Sequence, residues 1–242
     1  MAALYMDLVP CACTALGAGL VFFTKEAKAG ASPCRGAMGL AAGVMLGASV
    51  FSLLLPAVQA GRPRSLAAAL GLVLGAGGLL LVEKLAGSLL AGGPGRSGRV
   101  VLAIALHNLP QGMAVGLCGA LAAQGAADSL AGALALSLGL GLQNIPEGAA
   151  VSLPVRRAGA SRGRAFAVGA ASGLVEPLGA VLAGALAGRL AGAMPWLLGL
   201  AAGTMVCVTT QEMIPQAAAE GKRGILCVVA GFAGMLALDI LL

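Results

Sequence analysis

Apolar residues run through this chain in long blocks, and the polar residues gather between them. Eight blocks reach or approach the roughly 20 residues that a helix needs to cross a bilayer. They cover residues 2–24, 36–60, 65–83, 99–123, 127–154, 164–188, 193–218 and 223–242. The pattern predicts an all-α integral membrane protein, with eight transmembrane helices in a single domain over residues 1–242. The first block has no charged leader before it and is read as the first span rather than as a cleaved signal.

The connections are short and carry the charge. If alternate connections face the cytoplasm, starting with the first, that side holds Lys25, Lys28, Arg35, Lys84, Arg96, Arg99, Arg156, Arg157, Arg162, Arg164, Lys222 and Arg223. These are 12 of the 15 basic residues; Arg62, Arg64 and Arg189 fall on the other side. Cytoplasmic loops are enriched in Lys and Arg, so the bias predicts both termini outside.

The blocks also repeat. Ala41-Ala42-Gly43-Val44-Met45 in the second returns as Ala201-Ala202-Gly203-Thr204-Met205 in the seventh, and each is followed by polar residues and a proline, Pro56 or Pro215. The two spans would run in opposite directions. This suggests spans 1–3 and 6–8 as inverted repeats around spans 4 and 5, a 3+2+3 arrangement found in transporters.

Composition supports the membrane reading and removes others. The chain is 59% hydrophobic and 10% charged, against about 25% charged in a soluble domain. Its 39 glycines are interleaved with Leu, Ala and Val, which suits close packing of membrane helices and leaves room for a helix-packed homodimer. The net charge of +6 is spread over loops, with no basic face or aromatic platform, so no nucleic-acid partner is expected. Cys11, Cys13, Cys34, Cys118, Cys207 and Cys227 form no CxxC pair.

The chemistry sits in two matching stretches inside apolar blocks, where polar side chains are costly and mark function. One is His107-Asn108-Leu109-Pro110-Gln111-Gly112; the other is Gln143-Asn144-Ile145-Pro146-Glu147-Gly148. Residues four apart share a helix face, so His107 lies over Gln111 and Gln143 over Glu147. Asn108 and Asn144 stand about 100° round and line the adjoining wall. Each proline leaves the carbonyl four residues back without its usual partner, and irregular backbone at membrane depth is tolerated where it lines a cavity. Imidazole, amide and carboxylate together suit a divalent transition cation such as Zn²⁺, Cd²⁺, Fe²⁺ or Mn²⁺. Glu176, before Pro177 in span 6, and Glu212, before Pro215 in span 7, are further acids; Ser52 precedes Pro56 by one turn. No His-Glu-x-x-His run or similar metalloenzyme motif is present, and no organic cofactor or enzymatic activity is expected. A proton-coupled exporter or ion channel using the same acids is the alternative.

On these two stretches and the acids of spans 6 and 7, the sequence resembles the ZIP (Zrt-/Irt-like) family of divalent-metal transporters, in its compact bacterial branch. The resemblance implies import of a divalent metal, Zn²⁺ first, into the cytoplasm by a multi-pass protein of the bacterial inner membrane. It implies that His107, Asn108, Gln111, Gln143, Asn144, Glu147 and Glu176 line a central metal site. Gln211 and Glu212 would belong to the inner exit and Ser52 to the wall beside the entrance. It further implies sliding or rocking of one bundle of helices against the other. The chain departs from the family pattern at Gln111, where a Glu is usual. With Glu147 as the one bridging carboxylate, a single occupied site is expected. The connection Gly92–Gly98 has no histidine-rich tract.

Overall fold

The computed structural model describes residues 2–23, 36–59, 61–89, 96–123 and 129–241, and every regular element among them is helical. Helix α1 (Ala2–Gly19) ends in a 3-10 turn, Leu20–Phe22. α2 (Ala37–Ala48) passes through a π turn, Ser49–Leu54, into α3 (Leu55–Gln59). α4 is Arg62–Leu89, α5 Arg96–Ala123 and α6 Ser129–Arg157. α7 (Arg162–Gly173) and α8 (Val175–Ala185) flank Leu174, and the short α9 (Ala187–Leu190) follows. α10 (Met194–Val208) passes through a second π turn, Thr209–Met213, into α11 (Ile214–Ala219), and α12 is Lys222–Leu241. Lys25, Lys28, Cys34, Arg35 and residues 92–95 lie outside the described residues.

Five stretches of the described residues are long and apolar enough to cross a membrane: Met38–Gln59, Arg62–Leu85, Arg162–Ala185, Met194–Ala219 and Lys222–Leu241. Leu8–Phe22 is apolar but shorter. α5 and α6 have 28 and 29 residues, about 42–44 Å at 1.5 Å per residue, which exceeds the roughly 30 Å of a bilayer core. Leu66, Leu70, Val73 and Leu74 of α4 and Ile225, Leu226, Val229 and Ile240 of α12 face outward. Burying that surface in lipid rather than water is worth about 25 cal/mol per Å². The chain is a multi-pass membrane protein.

Glycine decides which helices pair, because a missing Cβ lets two backbones touch. A Cβ on Gly17 would strike the Ile145 carbonyl, and one on Gly148 the Thr14 carbonyl, so α1 locks onto α6. Gly112 and Gly116 of α5 meet the carbonyls of Glu176 and Ala180 on α8. Gly39, Gly43 and Gly47 of α2 meet α12 at Gly224, Val228 and Met235; Gly199 and Gly203 of α10 meet α4 at Ala68 and Leu72. In each pair the residue numbers rise together (Gly141 lies beside Val9, and Gly148 beside Thr14), so the helices run parallel. The pairs assemble into two bundles. One holds α1, α5, α6, α7 and α8; the other holds α2, α3, α4, α10, α11 and α12. They meet mainly where α5 faces α10 and α6 faces α2. That seam is apolar, with Met45, Ala201 and Met205 packed in the same core as Val115, Leu136 and Leu140.

The helix interruptions do not fall at the matching stretches. α5 and α6 continue as helices past Pro110 and Pro146. The breaks are at Leu174, before Glu176-Pro177, and at the two π turns. Each π turn ends one residue before the residue preceding a proline. There Leu55 donates to Val50 and Ile214 to Thr209, five residues back instead of four. Pro56 and Pro215 have no N–H to give to Ser52 and Gln211, and an extra residue in the preceding turn takes up the mismatch. π turns of this kind recur at functional sites.

Candidate metal centre

Three interhelical hydrogen-bonded pairs build a polar centre inside the first bundle. The Asn108 amide of α5 donates to Glu147 Oε1 of α6 at 2.7 Å and to the Ser172 carbonyl of α7 at 3.3 Å. The Asn144 amide of α6 donates to both carboxylate oxygens of Glu176 on α8, at 2.9 Å each. Gln143 Nε2 donates to Gln111 Oε1 at 3.1 Å and reaches Met205 Sδ at 3.8 Å. All six of these polar side chains are at most 1% exposed. Glu147 and Glu176 stand near enough to feel each other's charge. Glu176 occupies the first turn of α8, where the helix dipole favours a negative group.

Three amide oxygens around these carboxylates are buried without a hydrogen-bond partner: Asn108 Oδ1, Gln143 Oε1 and Asn144 Oδ1. An unpaired buried acceptor costs about 1–3 kcal/mol, so three in one small region would be a large penalty for mere packing. A cation would satisfy them, and amide oxygens beside two carboxylates are donors of the kind a divalent metal takes. The Gln111–Gln143 pair has an additional property. Gln111 Nε2 is unpaired as well. Turning both amides over exchanges their oxygens and nitrogens, so in either orientation the pair presents one free oxygen and one free nitrogen. It offers one ligand where two carboxylates would offer several.

The structure therefore brings together Asn108, Gln111, Gln143, Asn144, Glu147 and Glu176. The backbone of His107 lies in α5 beside them, and its side chain lies outside the described residues. The asparagines, expected in the wall, are the cross-links that orient the two acids. Ser52, Gln211 and Glu212 stand apart on the two π turns. Ser52 is half-buried and faces α6 at Gly139, one turn before Gln143; Gln211 is exposed and donates to Cys207 Sγ within its own helix at 3.1 Å.

Sequence reasoning missed Thr14. Its hydroxyl is fully buried, 3.2 Å from the Pro10 carbonyl and 3.4 Å from Glu176 Oε1, and its one proton serves either. It also missed the Ser172 carbonyl. A signal for Thr14 does exist. Thr14-x-x-Gly17 packs on Ile145 and Gly148 of one matching stretch, just as Glu176-x-x-Gly179 packs on Leu109 and Gly112 of the other.

The ZIP Zinc transporter family profile matches residues 90–239. The chain is 38% identical to the zinc transporter ZIPB of Bordetella bronchiseptica, over 94% of this chain and 77% of that one. It is 36% identical to the zinc transporter GufA of Myxococcus xanthus, over 98% of both. To human zinc transporter ZIP11 it is 34% identical, over 58% of this chain, and it spans only 42% of that longer protein.

Proposed function

The chain belongs to the ZIP zinc transporter family, and on that premise we propose that it carries a divalent transition-metal cation, Zn²⁺ first, across the membrane into the cytoplasm. The ion sits between α5 and α6, held by His107, Gln143 and Glu147, with Asn108, Gln111, Asn144 and Glu176 completing the site. The observation that carries this reading is the group of unpaired buried amide oxygens around two carboxylates. The relatives named as zinc transporters favour zinc as the cargo.

The helices make eight crossings in a 3+2+3 inverted repeat, with both termini outside. The four parallel pairs support this reading. Spans 1 and 5, 2 and 8, 3 and 7, and 4 and 6 are each separated by an even number of steps, so each pair must run the same way. The repeat also makes Ser52 and Gln211 mates, each one turn before a π-turn proline. Inversion puts them at opposite ends of the route, Ser52 at the entrance and Gln211 with Glu212 at the exit. All the metal-site residues belong to one bundle, and the seam with the other is lined by Ala, Met and Leu. Movement of the first bundle along that seam carries the ion from one side to the other.

Uptake into proteoliposomes loaded with a zinc-sensitive dye tests the reading. Glu147→Ala and His107→Ala should each cut uptake at least about tenfold, as loss of metal-site groups does, with elution as a folded species unchanged. Wild-type rates in both variants would remove this site from the pathway.

A further inference from the structure

A basic patch gathers at one end of the first bundle. α6 ends on Arg156 and Arg157, and α7 begins with Arg162 and Arg164, after a turn of small residues at 158–161. Val21 after α1, Leu153 of α6 and Ala165 of α7 share one buried cluster, and the rings of Phe22 and Phe166 touch with centroids 5.3 Å apart. Arg156 and Arg157 follow Leu153 by three and four residues, and Arg162 and Arg164 precede Ala165 by at most three. All four arginines therefore lie within about one helical turn of the same layer. Apolar stretches end at that layer: Leu8–Phe22 stops there, and the membrane-crossing stretch Arg162–Ala185 starts there. Phe22 and Phe23 are exposed beside it and give the patch an apolar border. Residues 8–23 and 148–175 contain no Asp or Glu.

Orienting the chain in the membrane needs only positive charge in the connection. It does not account for where Arg162 and Arg164 stand. Arg156 and Arg157 occupy the last turn of α6, where the helix dipole favours a cation. The first turn of α7 has the opposite polarity, yet it holds two arginines and no acid. A bound anion offsets that cost. We propose that the patch binds an anionic phospholipid, with its phosphate on Arg157, Arg162 and Arg164 and its acyl chains against Phe22 and Phe23. These three arginines are exposed, while Arg156 folds back to donate to the Ala160 carbonyl at 2.9 Å and braces the turn. The guanidinium fork matches phosphate oxygens, and basic clusters directly beyond a membrane helix draw anionic lipid. A headgroup ammonium would meet only positive charge here, so a zwitterionic lipid is disfavoured. The turn leaves room for the headgroup: a Cβ on Gly159 or Gly163 would meet nothing within 4 Å among the described residues.

Native mass spectrometry of the delipidated full chain, titrated with phosphatidylglycerol or phosphatidylethanolamine, tests this without any measurement of transport. Failure here and failure of the zinc reading are thus separable. Phosphatidylglycerol should be retained preferentially. Arg162→Gln and Arg164→Gln should each weaken its retention about fivefold, the worth of roughly 1 kcal/mol per basic residue near the surface. Arg62→Gln with Arg64→Gln, a basic pair at the start of α4, should leave it unchanged. Glycerol 3-phosphate, which has the phosphate without the acyl chains, should not displace the lipid. Equal retention of phosphatidylethanolamine, or an equal loss from the α4 pair, would mean that lipid gathers anywhere on the outside and would overturn the proposal. Displacement by glycerol 3-phosphate would make the patch a site for free phosphate and would overturn it too.

Discussion

The two bundles are assembled by the same device and filled with opposite chemistry. In each, pairs of parallel helices touch through glycines that admit a neighbour's carbonyl. In the bundle of α2, α4, α10 and α12, the space between the pairs holds Ala41, Ala42, Met45, Leu53, Ala201, Ala202 and Met205. In the bundle of α1, α5, α6, α7 and α8, the equivalent space holds Thr14, Asn108, Gln111, Gln143, Asn144, Glu147 and Glu176, all buried. An apolar filling needs only to match volume. The polar filling must also satisfy every donor and acceptor, and it leaves three oxygens unmatched. The first bundle thus gathers its unmatched amide oxygens around two carboxylates, whereas the second is mostly apolar inside, with the lone hydroxyl of Thr209 unmatched in its π turn.

The comparison breaks most visibly at the glycines. Gly148→Val should abolish zinc uptake, because its side chain would meet the Thr14 carbonyl and push α1 away from the site. Gly203→Val should destabilise by a similar amount, about 1–3 kcal/mol for overpacking, yet leave metal affinity in the folded fraction nearly intact. Thermal melting with isothermal titration of zinc separates the two. Equal losses of affinity would mean that the second bundle also shapes the site.

Gln111→Glu sharpens the comparison by making the polar filling more polar. It replaces an amide pair that offers one oxygen with a carboxylate able to bridge, so the number of ions bound per chain should rise. Anomalous scattering from metal-soaked crystals would count them, and an unchanged count would contradict the role given to the amide pair. The smallest effect is expected from Thr14→Val. It removes one hydroxyl beside Glu176, and a hydrogen bond to a charged group is worth about 1.5–3 kcal/mol at most. Part of that is lost already because the hydroxyl is shared with Pro10. Zinc affinity should fall several-fold with stability little changed.

Much of the outline was legible in the chain. The helices begin and end within a few residues of the apolar blocks, apart from α4, which runs to Leu89 because nothing after residue 83 stops it. The polar residues of the two matching stretches do converge in space, and the Ala-Ala-Gly repeat does precede two equivalent π turns. The expected break at Pro110 and Pro146 was misplaced. A proline inside a long, well-packed helix costs a hydrogen bond without ending the helix, and the interruptions settled at Pro56, Pro177 and Pro215 instead.

Sequence alone determined what depends on local spacing: how long each apolar block is, which residues share a face, and that two stretches carry the same polar pattern. Tertiary structure decided which carboxylate each asparagine holds, that Thr14 reaches Glu176 across 162 positions of chain, and that the two glutamines bond to each other. These depend on which helices lie side by side. That choice is made by shape, at crossings where a glycine on one helix accepts a carbonyl from another, and no local period records it. Such crossings set the distances between side chains, and those distances turn two similar phrases in a sequence into one site.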